Sequence, residues 1–71
     1  MIEYLSTVRL KRPIPGTAIP AGATGVVVMV YHNPDGYEVE FMDDDGDTLQ
    51  DPKTNAFTFT LYDQDIELLS L

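Results

Sequence analysis

Apolar and polar residues alternate with a period of two in four short runs of this chain, and nowhere with the period of a helix. In Ser6-Thr7-Val8-Arg9-Leu10-Lys11 the apolar residues fall at every second position, which predicts a half-buried first strand. Tyr37-Glu38-Val39-Glu40-Phe41 repeats the pattern, with Tyr37, Val39 and Phe41 toward a core and Glu38 and Glu40 toward water. Phe57-Thr58-Phe59-Thr60-Leu61 does so again, and Phe57, Phe59 and Leu61 are expected to face inward. Ile66-Glu67-Leu68 makes a short last strand. One segment breaks the rule: Val26-Val27-Val28-Met29-Val30-Tyr31 is apolar at every position. Strict alternation places Val26, Val28 and Val30 on one face and Val27, Met29 and Tyr31 on the other. Such a strand belongs in the centre of a sheet, and its second face needs a cover from a loop, a terminus or a partner.

Turn residues separate these runs. Arg12 to Pro20 holds Pro13, Pro15, Gly16 and Pro20, and proline cannot donate to a ladder, so this is a structured loop. Ala21-Gly22-Ala23-Thr24-Gly25 predicts a tight turn into the central strand, and His32-Asn33-Pro34-Asp35-Gly36 a hairpin turn out of it. Tyr62-Asp63-Gln64-Asp65 reads as one tight or 3₁₀ turn. Leu69 and Leu71 lie beyond the last strand, where they either patch the end of the fold or meet a partner. Five short antiparallel strands with turns between them predict a small all-β domain.

Three landmarks combine into a resemblance: Ser6-Thr7-Val8-Arg9-Leu10, then Ile19-Pro20-Ala21-Gly22-Ala23-Thr24-Gly25-Val26-Val27, then Tyr37-Glu38-Val39-Glu40-Phe41. With Thr60-Leu61 and Asp65-Ile66 near the end, the chain resembles a family of small bacterial proteins catalogued as domain of unknown function 4926. The resemblance implies a five-stranded SH3-like barrel with a proline-rich loop after the first strand. It implies no catalytic or binding residue. Ser6 stands where that family usually has Asp, and the segment from Thr48 to Asn55 is longer than its usual loop.

Length bounds the rest. A chain of 71 residues is one domain, and at this size only about 60% of the unfolded surface is buried. Cysteine is absent, which excludes a disulfide staple, a thiolate nucleophile and a cysteine zinc site. Stability must come from a compact apolar core, for which 44% hydrophobic residues suffice, and a homo-oligomer is one further way to cover apolar surface. No signal-peptide pattern or membrane-length apolar run stands in the sequence, so a cytoplasmic protein without membrane attachment is expected.

Charge narrows the partners. Twelve acids against four bases give a net charge of −8. That opposes binding to the phosphates of nucleic acids or to anionic lipid, and favours a basic protein partner.

Candidate chemistry is sparse. In Asp43-Asp44-Asp45-Gly46-Asp47, counting back from Gly46 puts Phe41 at the first ligand position of a calcium loop, so that motif fails and no metal is expected. Asp43, Asp44, Asp45 and Asp47 then read as an acidic patch for a basic protein or as a solvated loop, with an irregular, weak cation site as the least favoured reading. His32 is the lone histidine, no triad partner exists, and Gly22-Ala23-Thr24-Gly25 lacks the lysine and helix of a phosphate loop. Glu38 and Glu40 lie side by side on a water-facing surface, without the burial that tunes a catalytic acid. No catalytic residue and no cofactor are expected. Arg9, Lys11 and Arg12 make a thin basic stripe, read as pairing with the chain's own acids or with an acidic subunit. The interface candidates are the apolar face Val27, Met29 and Tyr31 and the four acids of the loop. The expected function is a non-enzymatic protein-binding module, an acidic inhibitor or immunity-type partner of a basic protein such as a toxin. An accessory subunit of a larger enzyme is the alternative, and a nucleic-acid module ranks behind both.

Overall fold

The computed structural model describes residues 2–69. Five strands form, four on the period-two runs and one on the continuous apolar run: β1 (Thr7–Leu10), β2 (Thr24–Tyr31), β3 (Gly36–Met42), β4 (Phe59–Leu61) and β5 (Ile66–Leu68). All pairings are antiparallel, in the order β4-β3-β2-β1-β5. The fold is all-β, with no helix among the described residues. Leu71 lies outside the described residues, while Leu69 is half-buried and donates its amide to the Thr7 carbonyl.

The order places β4 and β5 at opposite edges, yet only Tyr62–Asp65 separates them in the chain. In that turn the Asp65 amide donates to the Tyr62 carbonyl at 2.9 Å. A turn this tight holds its ends within about 7 Å, so the sheet must curl until its edges meet at that end. The curl is compatible with the expected SH3-like fold, but β4 and β5 do not pair and the sheet is not closed into a barrel. Beside that turn, between the end of β4 and the proline loop, a cleft of about 350 Å³ is lined by Leu10, Arg12, Pro13, Ile14, Pro15, Leu61 and Asp65, among others. Its two prolines have no amide to offer an edge strand.

The concave face holds the core. Val8, Leu10, Val27, Tyr37, Val39, Phe41 and Ile66 are all at most 1% exposed, and the Phe41 and Phe59 rings meet at a centroid distance of 5.9 Å. Gly25 stands opposite Phe41 in the ladder. A β-carbon there would lie 2.8 Å from the Glu40 carbonyl oxygen and 2.9 Å from Phe41 Cδ1, so the second glycine of Ala21–Gly25 is required by packing.

Two expectations are corrected. The first concerns β2. Its pairing with β3 runs Val26↔Glu40, Val27↔Val39 and then Met29↔Glu38, so Val28 is an extra residue opposite no partner. A bulge of one residue reverses the parity of everything after it. Val27 therefore points into the core and is fully buried, while Met29 and Tyr31 emerge on the outer face, 51% and 37% exposed. Val27 does not share a face with Met29 and Tyr31, and it is no surface residue. The Val27 amide and carbonyl are also bonded to the Ser6 carbonyl and the Leu5 amide, which fixes the strand at this point.

The second correction is Phe57, which is 52% exposed instead of buried. The β3–β4 ladder begins only at Val39↔Phe59. Beyond it the place beside β3 is taken by the loop: Thr48 bridges Met42, and the Leu49 amide donates to the Phe41 carbonyl. Leu49 packs on the core where Phe57 was expected.

The corrected register makes a sharp contrast. Val27→Ala should cost roughly 1–3 kcal/mol, and Gly25→Ala a similar amount through overpacking. Met29→Ala should stay within about 0.5 kcal/mol. Urea unfolding of the three variants checks the order. An equal loss for Val27→Ala and Met29→Ala would contradict the bulge.

Candidate interaction surface

The outer face of β2, β3 and β4 is built in two rows. In the first, Met29 stands opposite Glu38, and Glu38 opposite Thr60. In the second, Tyr31 stands opposite Gly36, and Tyr62 follows Thr60 by two residues and covers Gly36. A β-carbon on Gly36 would lie 3.1 Å from Tyr62 Cε1 and 3.3 Å from Cδ1, so the absent side chain is what lets the ring settle there. Gly36 is consequently buried although it lies on the outer face. Tyr31, His32, Pro34, Thr60 and Tyr62 line a cavity of about 190 Å³ at this end of the hairpin.

Glu38 is the polar centre of the face. Its Oε1 accepts from Thr60 Oγ1 at 2.7 Å and its Oε2 from Thr58 Oγ1 at 2.8 Å. The Tyr31 hydroxyl reaches Oε1 at a long 3.5 Å. Partial burial, and then the nearby Glu38 carboxylate, push the Tyr31 phenol above its usual value. Glu40 is held in the same manner by Thr48 Oγ1 at 2.6 Å. Among the described residues neither carboxylate has a cationic partner.

The acidic loop is ordered by its own first residue. Asp43 Oδ1 accepts from the amides of Asp45 and Asp47 at 2.9 and 3.0 Å, and Gly46 takes a positive φ of 85° to close the turn. Asp43 thus shapes the loop, and Asp44, Asp45 and Asp47 are exposed around it. No group of three or more His, Cys, Asp or Glu side chains among the described residues is placed to hold a metal ion. The loop borders an open groove of about 540 Å³, whose other wall is the turn from Pro20 to Thr24.

Positive charge lies elsewhere. Arg9 pairs with Glu67 directly across the β1–β5 ladder, and Arg12 with Asp65 at 3.1 Å. These exposed pairs contribute little stability, but they remove two of the four bases from contact with a partner. His32 sits on the exposed hairpin turn, 3.8 Å from Asp35.

Three polar residues make contacts that the sequence pattern did not reveal, although the burial of one of them, Tyr37, was expected. Asp51 is the one fully buried charge among the described residues. Its Oδ1 accepts from the Ala18 amide at 2.8 Å, and its Oδ2 from the Thr54 amide and hydroxyl at 3.0 and 2.7 Å. It ties the proline loop to the segment after β3. Desolvation works to raise its pKa, but these hydrogen bonds outweigh it and hold the carboxyl below its ordinary range. Tyr37 is the second: its buried hydroxyl donates to Asp63 at 2.7 Å and accepts from the Ile2 amide at 3.0 Å. Tyr62 is the third, read as a turn residue and found on the outer face. An Asp within Gln50-Asp51-Pro52 looks like any other loop acid, and only the contact with Ala18, 33 positions away, distinguishes it.

The sequence pattern of domain of unknown function 4926 matches residues 4–60 of the chain. The chain belongs to this family. No curated protein and no solved structure matches it. The stretch matched by domain of unknown function 4926 holds β1 to β3, the bulge, Gly25, Gly36, Glu38 and the acidic loop. Tyr62 and β5 follow it in the chain.

Asp51 gives a pH signature. Its folded pKa lies below the ordinary 3.8, so its contribution is complete above that value and is lost as pH falls through the folded value. For Tyr37 the sign is opposite: burial first, then Asp63, raise it above 10.0, and its contribution disappears as pH climbs through the raised value. Asp51→Asn should lower the melting temperature at neutral pH and flatten the acid side of the stability profile below about pH 4. Melting curves of both proteins from acid to neutral pH check this. By contrast, Asp43→Asn with Asp44→Asn and Asp47→Asn should change stability by no more than about 0.5 kcal/mol, because Asn keeps the side-chain oxygen that Asp43 uses.

Proposed function

We propose that this protein is a non-enzymatic binding module for a basic protein, of the kind that inhibits or neutralises its target as an immunity partner neutralises a toxin. One observation carries the reading. The face formed by β2, β3 and β4 combines exposed Met29, Tyr31 and Tyr62 with Glu38 and Glu40, and no Lys or Arg occurs between Pro13 and Pro52 or after Lys53. Aromatic residues and Met are enriched at protein contacts, and a surface of one sign steers an oppositely charged partner and speeds its capture. The acidic loop extends the same charge to the far end of β3. A cytoplasmic location in a bacterium fits this role.

The test is a tagged pull-down from the source organism's lysate, eluted with a salt gradient and read by mass spectrometry. A stoichiometric basic protein should elute at moderate salt, because exposed charge pairs are screened over about 8–10 Å there. Its capture should weaken with Glu38→Gln and Glu40→Gln together. A stoichiometric partner that is not basic and resists high salt would replace this reading with that of an accessory subunit docked on Met29 and Tyr31.

A further inference from the structure

The cavity between the hairpin end and Tyr62 has the size and chemistry of a receptor for one side chain. At about 190 Å³ it is smaller than the roughly 300–1,000 Å³ of small-molecule pockets. Two exposed tyrosine rings line it, and Thr60 in its wall holds the Glu38 carboxylate. We infer that this cleft binds an arginine side chain of the protein partner, the guanidinium lying against Tyr31 and Tyr62 and bonding to Glu38. The inference deepens the binding-module reading and rests on it for the kind of partner.

Four observations support it. A carboxylate offers about four acceptor positions. Thr58 and Thr60 occupy two of them, and the Tyr31 hydroxyl at 3.5 Å makes only a long third contact. One position is open and another is easily given up. Second, the two threonines fix the carboxylate in advance, so little ordering remains to be lost on binding. Third, no Lys or Arg of this chain is paired with Glu38 among the described residues, which leaves its charge for an incoming cation. Fourth, the tyrosine faces favour a cation, and a planar guanidinium stacks on rings while bonding in its own plane, which an ammonium cannot do. Gly36 is what makes the cleft: it stands across from Tyr31 and admits the Tyr62 ring, bringing two tyrosines 31 positions apart to one cavity.

The test titrates the full chain with N-acetyl-arginine amide while its amide NMR spectrum is recorded at about 0.15 M salt, where distant charges are screened. N-acetyl-citrulline amide, of the same shape without the charge, is the control. Saturable shifts are expected at Tyr31, Gly36, Thr60 and Tyr62, with citrulline binding about tenfold weaker, as loss of one charge-assisted contact implies. Glu38→Gln keeps the threonine contacts and the fold, and should lower arginine affinity by a similar factor. Gly36→Ala leaves Tyr31, Glu38, Thr60 and Tyr62 unchanged in type but displaces the Tyr62 ring, and should weaken binding too. Shifts confined to Asp43–Asp47, equal binding of citrulline, or affinity unchanged in Glu38→Gln and Tyr62→Ala would each overturn the cleft. The broader reading fails separately. If arginine binds here while the pull-down yields no basic protein, the cleft stands and the proposed partner falls; if a basic partner is captured equally by Tyr62→Ala, the reverse holds.

Discussion

The extra residue in β2 decides what this molecule shows to its surroundings. Six consecutive apolar residues in a regular strand would keep Val27, Met29 and Tyr31 on one face, against the core row Tyr37, Val39 and Phe41 of β3. One bulge at Val28 divides them. Before it, Gly25 and Val27 face inward against Phe41 and Val39; after it, Val30 joins the inner side beside Tyr37, and Met29 and Tyr31 turn outward. The core thereby gains a continuous lining, and the outer face gains exposed apolar and aromatic side chains next to a fixed carboxylate. Both follow from one step in register, because a sheet has a side-chain period of two.

The two buried glycines of the sheet complete the arrangement from opposite sides. Gly25 makes room on the inner face for Phe41, the centre of the core, and Gly36 makes room on the outer face for Tyr62. The tight turn Tyr62–Asp65 then carries the chain from one edge of the sheet to the other. It is braced by the Asp65 carboxylate on the Tyr62 amide, and Tyr37 reaches it from beneath through Asp63. In a chain this short, one turn thus curls the sheet, positions a surface tyrosine and bonds a core side chain. Asp51 plays the matching part on the far side, where it holds the proline loop to the segment after β3.

Local patterns in the sequence were sufficient for the strands. β5 falls on Ile66–Leu68 as expected, and β3 buries Tyr37, Val39 and Phe41 while leaving Glu38 and Glu40 outward. What failed were features with no local signature. A run that is apolar at every position looks the same with or without a bulge, so the parity switch that buries Val27 could not be read from it. Phe57 alternates perfectly with Phe59, but the place it would fill is taken by Leu49, which lies in a segment without strand pattern. The candidate surface was half legible for the same reason. Met29, Tyr31 and the acids of Asp43–Asp47 stand out by residue type, whereas the convergence of Glu38, Thr58, Thr60 and Tyr62 exists only once β4 is laid against β3.

Everything said of the surface depends on the direction in which Val27 and Met29 point, and that direction is measurable in solution. Methyl NMR in the presence of a soluble paramagnetic agent reads the exposure of both side chains in one sample. The bulged strand predicts a Met29 methyl signal strongly broadened and Val27 methyl signals as protected as those of Val39. Equal broadening, or equal protection, of Val27 and Met29 would mean a regular strand that carries both on one face, and a different interaction surface.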